Sequence, residues 1–444
     1  MDNSVKETEA RKRLQLLFDD GAFTEIDAFA KDVDGEIGVV AGFGSVNGAP
    51  AYAFSQDITV KGGAITVAQC SKILKVYDLA TKTGYPVVGV YDSNGVNLIE
   101  GFEVLSAYGD VVKASAAVSG VVPQISIIAG ACLGALSVVA NMADVVVAVK
   151  DADFYISAPN DVTAEDNYKA GSIDILAESF EEAVASVKNL VALLPQNNIA
   201  PTPIFDFAAP SIVAAPSIVA ADSMSADDII KSIADENSIV EIKSGYGNNL
   251  TTALATVAGE TVGFVAFDGN PVCPHCAYKA ESMIKLCDAY SIPVITVANA
   301  DGMIKDAQEQ MLIAATKLTS VYATATCPKI SLITDQSIGG AYVMLAGKGA
   351  NADLALAWDN AVASPLDVDA SVAFLYNERL AAGEDRAELK NEYKQTVGSA
   401  YAAAACGAID DVFAPSETRA KIISALDMLA GKRESTIARK HSVK

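Results

Sequence analysis

The chain carries one order of segments twice. Pro123-Gln-Ile-Ser-Ile-Ile-Ala-Gly130, followed by Cys132-Leu-Gly-Ala135, returns as Pro328-Lys-Ile-Ser-Leu-Ile-Thr-Asp335, followed by Ser337-Ile-Gly-Gly340. The step from Pro123 to Pro328 is 205 positions. Tyr85-Pro-Val-Val-Gly-Val90 is answered by Ile292-Pro-Val-Ile-Thr-Val297 at nearly the same step. So are Ala143-Asp144-Val145 by Ala352-Asp353-Leu354, and Ala158-Pro159 by Ser364-Pro365. A matched order over such a length means a duplicated domain. At 444 residues the chain is too long for one core, and two domains of about 200 residues fit. The unit that repeats best is a buried strand, a glycine turn and a helix of small residues. Such a unit aims backbone N–H groups at one point, so two copies predict two anion sites.

Hydrophobic residues make up 51% and aromatics 7%, which favours close-packed α/β layers over an aromatic-rich sandwich. The net charge of −23 argues against non-specific binding to nucleic acid or to an anionic membrane. A phosphate-bearing ligand would need a local basic patch or a helix N-terminus. The polar start, Met1-Asp-Asn-Ser-Val-Lys-Glu-Thr-Glu, does not read as a signal peptide. Ile125 to Ala143 has the length of a membrane span, but it holds two glycines and its second copy carries Asp335 and Gln336. A buried strand plus helix is the preferred reading. Seven cysteines without regular spacing suggest a reducing cytoplasm.

Along the chain, Arg11 to Phe18 reads as an amphipathic helix and Thr24-Glu-Ile26 as the start of the first domain. Asn47-Gly48 is a hairpin signal between Val39–Gly44 and Ala51–Phe54. Val67 to Thr81 has helical periodicity, Val87 to Tyr91 is a short apolar strand, and 123–148 gives strand, turn, helix, strand. This alternation predicts crossover units in a largely parallel sheet. The first domain spans 1–198. A Pro/Ala-rich linker covers 199–224 and contains a tandem copy, Ala209-Pro-Ser-Ile-Val-Ala214 then Ala215-Pro-Ser-Ile-Val-Ala220. The second domain, 225–444, re-runs the plan: Glu241 answers Glu25, and Gly259–Gly263 answers Gly48–Tyr52. Glu378 to Leu429 reads as a charged helical extension with no counterpart in the first half.

Gly134-Ala135 and Gly339-Gly340 are the prime candidates for chemistry. Small residues there let a carbonyl oxygen approach two N–H groups, although tight helix–strand packing also wants glycine. His275 and His441 are the only histidines and neither is near a glycine turn in sequence. This disfavours a Ser-His-Asp or Cys-His mechanism and suggests a base borrowed from cofactor or substrate. Cys273-Pro-His-Cys276 opens a predicted helix and could be a redox pair, half a zinc site or simply a free pair. A second pair is missing, so no metal site is expected. Asp92-Ser-Asn-Gly95 reads as a turn after a strand. Lys61, Lys72, Lys75 and Lys113 are candidate phosphate contacts, or merely solvated.

Further motifs carry a resemblance. Glu9–Leu17, Asp57-Ile-Thr-Val60 with Gly62-Gly63, Ile409-Asp-Asp-Val412, Thr418-Arg419, Lys432-Arg433 and Arg439-Lys-His441 resemble the carboxyltransferase subunits of biotin-dependent acyl-CoA carboxylases and decarboxylases. The propionyl-CoA carboxylase β chain and methylmalonyl-CoA decarboxylase α chain types are the nearest shapes. The resemblance runs from about Glu9 to His441. It implies two tandem crotonase-like domains of ββα spirals plus the helical tail. It implies that Gly134 and Ala135 hold an acyl-CoA enolate, and that Gly340 and Ala341 hold the ureido oxygen of biotin. Gly339 and Tyr342 would then lie on the biotin side, and Gly62, Gly63, Asp92 and Gly95 on the acyl-CoA side. It also implies that carboxybiotin releases CO2, that the biotin anion takes the α-proton, and that the enolate attacks the CO2. No biotinylation site or ATP-binding module is seen, so biotin is expected on a partner, a biotin carboxyl carrier protein. Biotin carboxylase or membrane decarboxylase subunits are further candidate partners, and the family assembles dimers into hexamers.

The chain departs from the family pattern in four places. Asp92-Ser-Asn-Gly-Val-Asn97 stands where the family has Asp-Ser-Gly-Gly-Ala-Arg. Ala135 replaces a glycine, Ala300-Asp-Gly-Met303 replaces a Pro-Gly-Phe segment, and Asn160-Asp-Val-Thr163 is altered. The acyl-CoA side is the more eroded. The alternatives are therefore a catalytically eroded structural subunit of a biotin-dependent complex, or a thiol-redox protein built on Cys273 and Cys276.

Overall fold

The structure is a computed structural model that describes residues 7–32, 35–157, 160–214, 224–349 and 352–434. Ala158-Pro159, the second tandem copy from Ala215 and Arg439-Lys-His441 lie outside the described residues. The chain divides into two compact units, Met1–Pro203 and Ile204–Lys444.

In the first unit the strands are β1 (Phe23–Glu25), β2 (Lys31–Asp32), β3 (Gly35–Glu36), β4 (Val39–Val46), β5 (Ala49–Gln56), β6 (Val87–Ser93), β7 (Gln124–Leu133), β8 (Val145–Val149), β9 (Phe154–Tyr155) and β10 (Ile175–Ala177). The helices are α1 (Glu9–Leu17), α2 (Val67–Thr83), α3 (Phe102–Val118), α4 (Ala135–Ala140), α5 (Ala164–Ala170) and α6 (Phe180–Leu193). The main sheet runs β1-β4-β5-β6-β7-β8-β10. The β1-β4-β5 edge is antiparallel and the rest is parallel.

The second unit holds α7 (Ala226–Ile233), β11 (Val240–Ile242), β12 (Leu250–Val257), β13 (Glu260–Phe267), α8 (Pro274–Ala289), β14 (Val294–Val297), α9 (Gln308–Thr324), β15 (Lys329–Ile333) and β16 (Gln336–Ile338). It continues with β17 (Leu354–Trp358), β18 (Val362–Ser364), α10 (Val368–Leu375), α11 (Asn377–Ala381), α12 (Arg386–Gln395), α13 (Ala400–Ala405), β19 (Asp411–Phe413) and α14 (Thr418–Leu429). Its sheet, β11-β12-β13-β14-β15-β17-β19, repeats the order and sense of the first.

The duplication extends to single hydrogen bonds. Asn47-Gly48 turns the β4-β5 hairpin with both residues at positive φ, and Ala258-Gly259 does the same between β12 and β13. In each unit one carboxylate clamps both turn N–H groups. Asp19 takes Asn47 and Gly48 at 2.9 Å each, and Asp235 takes Ala258 at 3.0 Å and Gly259 at 2.8 Å. Asp144 receives the N–H of Gln124 at 2.8 Å, and Asp353 that of Lys329 at 2.7 Å.

Caps set the helix starts. Thr66 accepts from the Gln69 N–H at 3.2 Å to open α2, and Gly84 in the left-handed region closes it. Val76, Tyr77 and Ala80 of α2 join Val104, Tyr108 and Val111 of α3 in one core with Phe54 and Tyr91 of the sheet. Full burial of a valine or phenylalanine side chain in such a core contributes roughly 1.5–3 kcal/mol. The span reading of Ile125 to Ala143 resolves into β7, a turn and the six-residue α4. Among the described residues no helix is long and apolar enough to cross a membrane.

Two expectations are corrected. The stretch from Glu378 to Leu429 is largely helical, yet β19 within it pairs with β17 and completes the sheet, as β10 does on β8. α14 follows β19 as α6 follows β10, so the added material lies within α10–α13, where the first unit has α5 alone. Part of the presumed linker also belongs to the second unit: the Phe205 N–H donates to the Gly259 carbonyl at 2.9 Å, and that of Glu236 to Ala208 at 2.9 Å.

Candidate functional site

Each unit brings its glycine turn to the same place in its sheet. In the first, the end of β7 leaves β8 and pairs with β9, Cys132 opposite Phe154 and Leu133 opposite Tyr155. Gly134 then turns the chain with φ 69° and ψ −143°, a conformation that only glycine adopts without strain. In the second, β16 pairs with β18, and Gly339 turns with φ 54°. The Gly134 N–H donates to the Tyr155 carbonyl at 3.0 Å, and the Gly339 N–H to the Ser364 carbonyl at 2.8 Å. These two N–H groups are therefore occupied, which corrects the assignment of Gly134 as a donor. The structural register pairs Ala135 with Gly340. Both come first in their helical turns, and their N–H groups have no acceptor among the described residues.

Four further first-half candidates gather at this turn. Asn94 N–H donates to the Gly62 carbonyl at 3.2 Å, and Ile65 N–H to the Gly95 carbonyl at 2.8 Å. Gly63 packs so closely that a Cβ would lie 2.5 Å from the Asp92 carbonyl oxygen. A Cβ on Gly95 would lie 3.8 Å from the Leu133 carbonyl oxygen, beside Gly134. Gly62, Gly63 and Gly95 thus shape the corner through their backbones. Asp92 is tied into the protein by its own partner. It is buried, and its carboxylate is paired with Arg13 at 2.8 Å. Asn97 accepts from the Ile99 N–H at 3.2 Å and caps a short turn. Three of the four candidate phosphate lysines are engaged too, Lys61 with Asp32, Lys72 with Glu25 and Lys75 with Asp27, while Lys113 is exposed on α3.

In the second unit a cleft of about 850 Å³ opens over the turn. Gly339 and Gly340 line it, with Met303, Leu366, Asp367 and Lys394 around them. Gly340 lies outside the left-handed region, and the nearest atoms to a Cβ there would be Met344 Cε at 3.3 Å and Met303 at 3.9 Å. Ala341 is fully buried and does not line the cleft. Tyr342 is also not in the cleft: it begins a single π-helical turn, Tyr342–Ala346, and its hydroxyl donates to the Ala408 carbonyl at 3.1 Å. Burial pushes its phenol up. Lys390 and Lys394 of α12 border the cleft, with Lys390 on Asp369 at 2.6 Å. The sequence reading missed these lysines because they sit in the inserted helices. The charge cluster between Asp367 and Lys394 was the available signal.

A smaller cleft of about 630 Å³ lies beside α4 in the first unit, between Ser137, Asn141, Tyr155 and Asn167. His275 stands on α8, its ring 5.0 Å from that of Tyr246, and His441 is outside the described residues. Among the described residues no group of three or more His, Cys, Asp and Glu could hold a metal ion.

The carboxyl transferase domain model matches residues 6–444. The chain is 32% identical to the methylmalonyl-CoA decarboxylase subunit alpha of Propionigenium modestum, with 97% of this chain and 92% of the relative aligned. It is 33% identical to the methylmalonyl-CoA carboxyltransferase 12S subunit of Propionibacterium freudenreichii subsp. shermanii, over 97% and 90%. Among solved structures it is similar to a transcarboxylase 12S crystal structure, described as a hexamer and multienzyme core with methylmalonyl-coenzyme A and methylmalonic acid bound. The TM-score is 0.89 at 33% identity, covering 99% of this chain and 92% of that one.

Proposed function

The chain belongs to the carboxyl transferase domain family of biotin-dependent acyl-CoA carboxyltransferases and decarboxylases, and from this we propose that it moves a carboxyl group between biotin on a partner protein and an acyl-CoA of the methylmalonyl or propionyl class. The observation that carries this reading is the pair of equivalent turns, each ending in an unclaimed N–H, at Ala135 and Gly340. What supports placing biotin at Gly340 is that this residue lines the cleft and carries no side chain over its N–H. Biotin, when bound, supplies a carrier for the carboxyl group and a base for the α-proton. The Gly340 N–H would hold the ureido oxygen, and the Ala135 N–H would hold the thioester oxygen and stabilise negative charge on it. Each donor contributes roughly 2.7–4 kcal/mol, the usual loss when one oxyanion donor is removed. Purified protein given free biotin and methylmalonyl-CoA should release the carboxyl group. No release with either methylmalonyl-CoA or malonyl-CoA would sink the reading.

Asn97 favours a second reading. An arginine fork is replaced by a side chain already spent on a turn, which weakens thioester binding relative to biotin binding. Calorimetry with malonyl-, methylmalonyl- and acetyl-CoA should find one that binds. If none binds at millimolar concentration, the chain is a structural subunit of such a complex.

The partners follow from the same reading: a biotin carboxyl carrier protein and further copies of this chain. Phe102 and Leu105 of α3 are 88% and 51% exposed, and Leu312 and Ile313 of α9 are 70% and 55% exposed. Apolar faces of this kind fit interfaces between copies. Sedimentation at micromolar concentration should show a dimer or larger assembly; a monomer alone would contradict it.

A further inference from the structure

Cys273 and Cys276 are built as a reacting pair. Cys273 caps the N-terminus of α8, accepting the Cys276 N–H at 3.2 Å, and Pro274 fixes the first helical position. The two sulfurs stand 2.7 Å apart. Cys276 is buried, while Cys273 keeps partial access to solvent. The hydrogen bond from the Cys276 thiol outweighs burial and, with the Cys276 N–H and neighbouring His275, brings the Cys273 thiol down to about 6. The same contact and burial push Cys276 up. Elsewhere burial, helped by nearby carboxylates, pushes thiols up, Cys70 and Cys327 to about 12. Cys406 is exposed but has no second thiol beside it.

The pair is also tied to the cleft. Val272, the residue before Cys273, donates its N–H to Gly302 at 2.9 Å and accepts that of Ile304 at 3.1 Å. Gly302, Met303 and Ile304 line the cleft over Gly340, as does Pro271.

We propose that Cys273 and Cys276 form a peroxide-reactive dithiol that closes reversibly to a disulfide and shifts the cleft segment 301–306. The Cys273 thiolate attacks one peroxide oxygen. The O–O bond breaks, hydroxide leaves and takes up a proton to become water, and a sulfenic acid remains on Cys273. The Cys276 sulfur then attacks that sulfur, the S–O bond breaks, and a second water leaves with the thiol proton. Two thiols lose two electrons in total, and one hydrogen peroxide becomes two waters. A dithiol reductant reverses the closure by exchange.

The test uses the full chain treated with hydrogen peroxide, then alkylated and mapped by mass spectrometry. The peptide holding both cysteines should lose two hydrogens about tenfold faster than Cys406 is oxidised, as expected for a solvent-reached thiolate with a resolving partner. Dithiothreitol should restore it. Cys276→Ser should leave Cys273 as a sulfenic acid that dimedone traps, and Cys273→Ser should abolish both products. Cys406 reacting as fast as the pair, or a pair that stays reduced, would overturn the site. Amide hydrogen exchange over 301–306 should differ between reduced and oxidised protein. Unchanged exchange beside a formed disulfide would overturn the link to the cleft. Neither readout depends on carboxyl transfer.

Discussion

Gly340→Val should fold normally and lose about two to three powers of ten in biotin-dependent carboxyl transfer, the usual loss for one oxyanion donor. Gly340 needs no special backbone angle, and its nearest obstacles are the movable ends of Met344 and Met303. The fold therefore has no stake in the missing side chain, whereas the cleft does, because valine's methyl groups would stand over the N–H. Gly340→Ala should show a smaller loss. Gly339→Ala makes the useful contrast: its φ of 54° and a Pro365 carbonyl oxygen 3.1 Å from the added Cβ make that change a folding defect. Thermal denaturation beside decarboxylation assays separates the two kinds of loss. A folded Gly340→Val protein with full activity would place the biotin site elsewhere.

Asp235→Ala is expected to cost about 3–5 kcal/mol of stability, the range for breaking a buried ion pair. The Asp235 side chain is 2% exposed. Besides the two turn N–H groups it accepts the Thr256 hydroxyl at 2.7 Å and Arg419 Nη2 at 2.6 Å. Removing it takes the carboxylate partner from a partly buried guanidinium, leaves Arg419 its bond to the Ile233 carbonyl, and frees Ala258 to leave its positive φ. Burial works against the Asp235 carboxylate, but Arg419, Thr256 and the two N–H groups outweigh it and hold its pKa below the ordinary value. A lowered folded pKa means the contribution is full above the unfolded value and is lost as pH falls through the folded one. Urea midpoints of wild type and variant should therefore differ at neutral pH and converge in acid. A constant gap down to strong acid would refute the electrostatic account.

Much of the fold was legible because repetition and period speak for themselves. The step between Pro123 and Pro328, the Asn47-Gly48 turn and the apolar run of β6 need no tertiary knowledge. β19 was missed because Asp411–Phe413 is three residues long and sits among helices, where local pattern is silent and pairing with β17 decides. That the Gly134 N–H is engaged was hidden for a similar reason. Which N–H of a glycine turn is free depends on the strand beside it, Tyr155 in one unit and Ser364 in the other. Asp92 read as a ligand contact from its motif, but Arg13, far away in sequence, claims it.

The α10–α13 insertion has a consequence for synthesis. The first unit receives its last sheet strand when residues 175–177 appear. The second must wait for 411–413, across a connection about twice as long as that between β8 and β10. The added closure entropy is small, about 0.6 kcal/mol for a doubling. The delay matters more. During translation the amino-terminal half can finish while its twin still shows an open edge at β17, and an open strand edge is a template for other chains. Nascent chains should therefore depend most on chaperone protection during the last stretch of synthesis, after their first half is already safe.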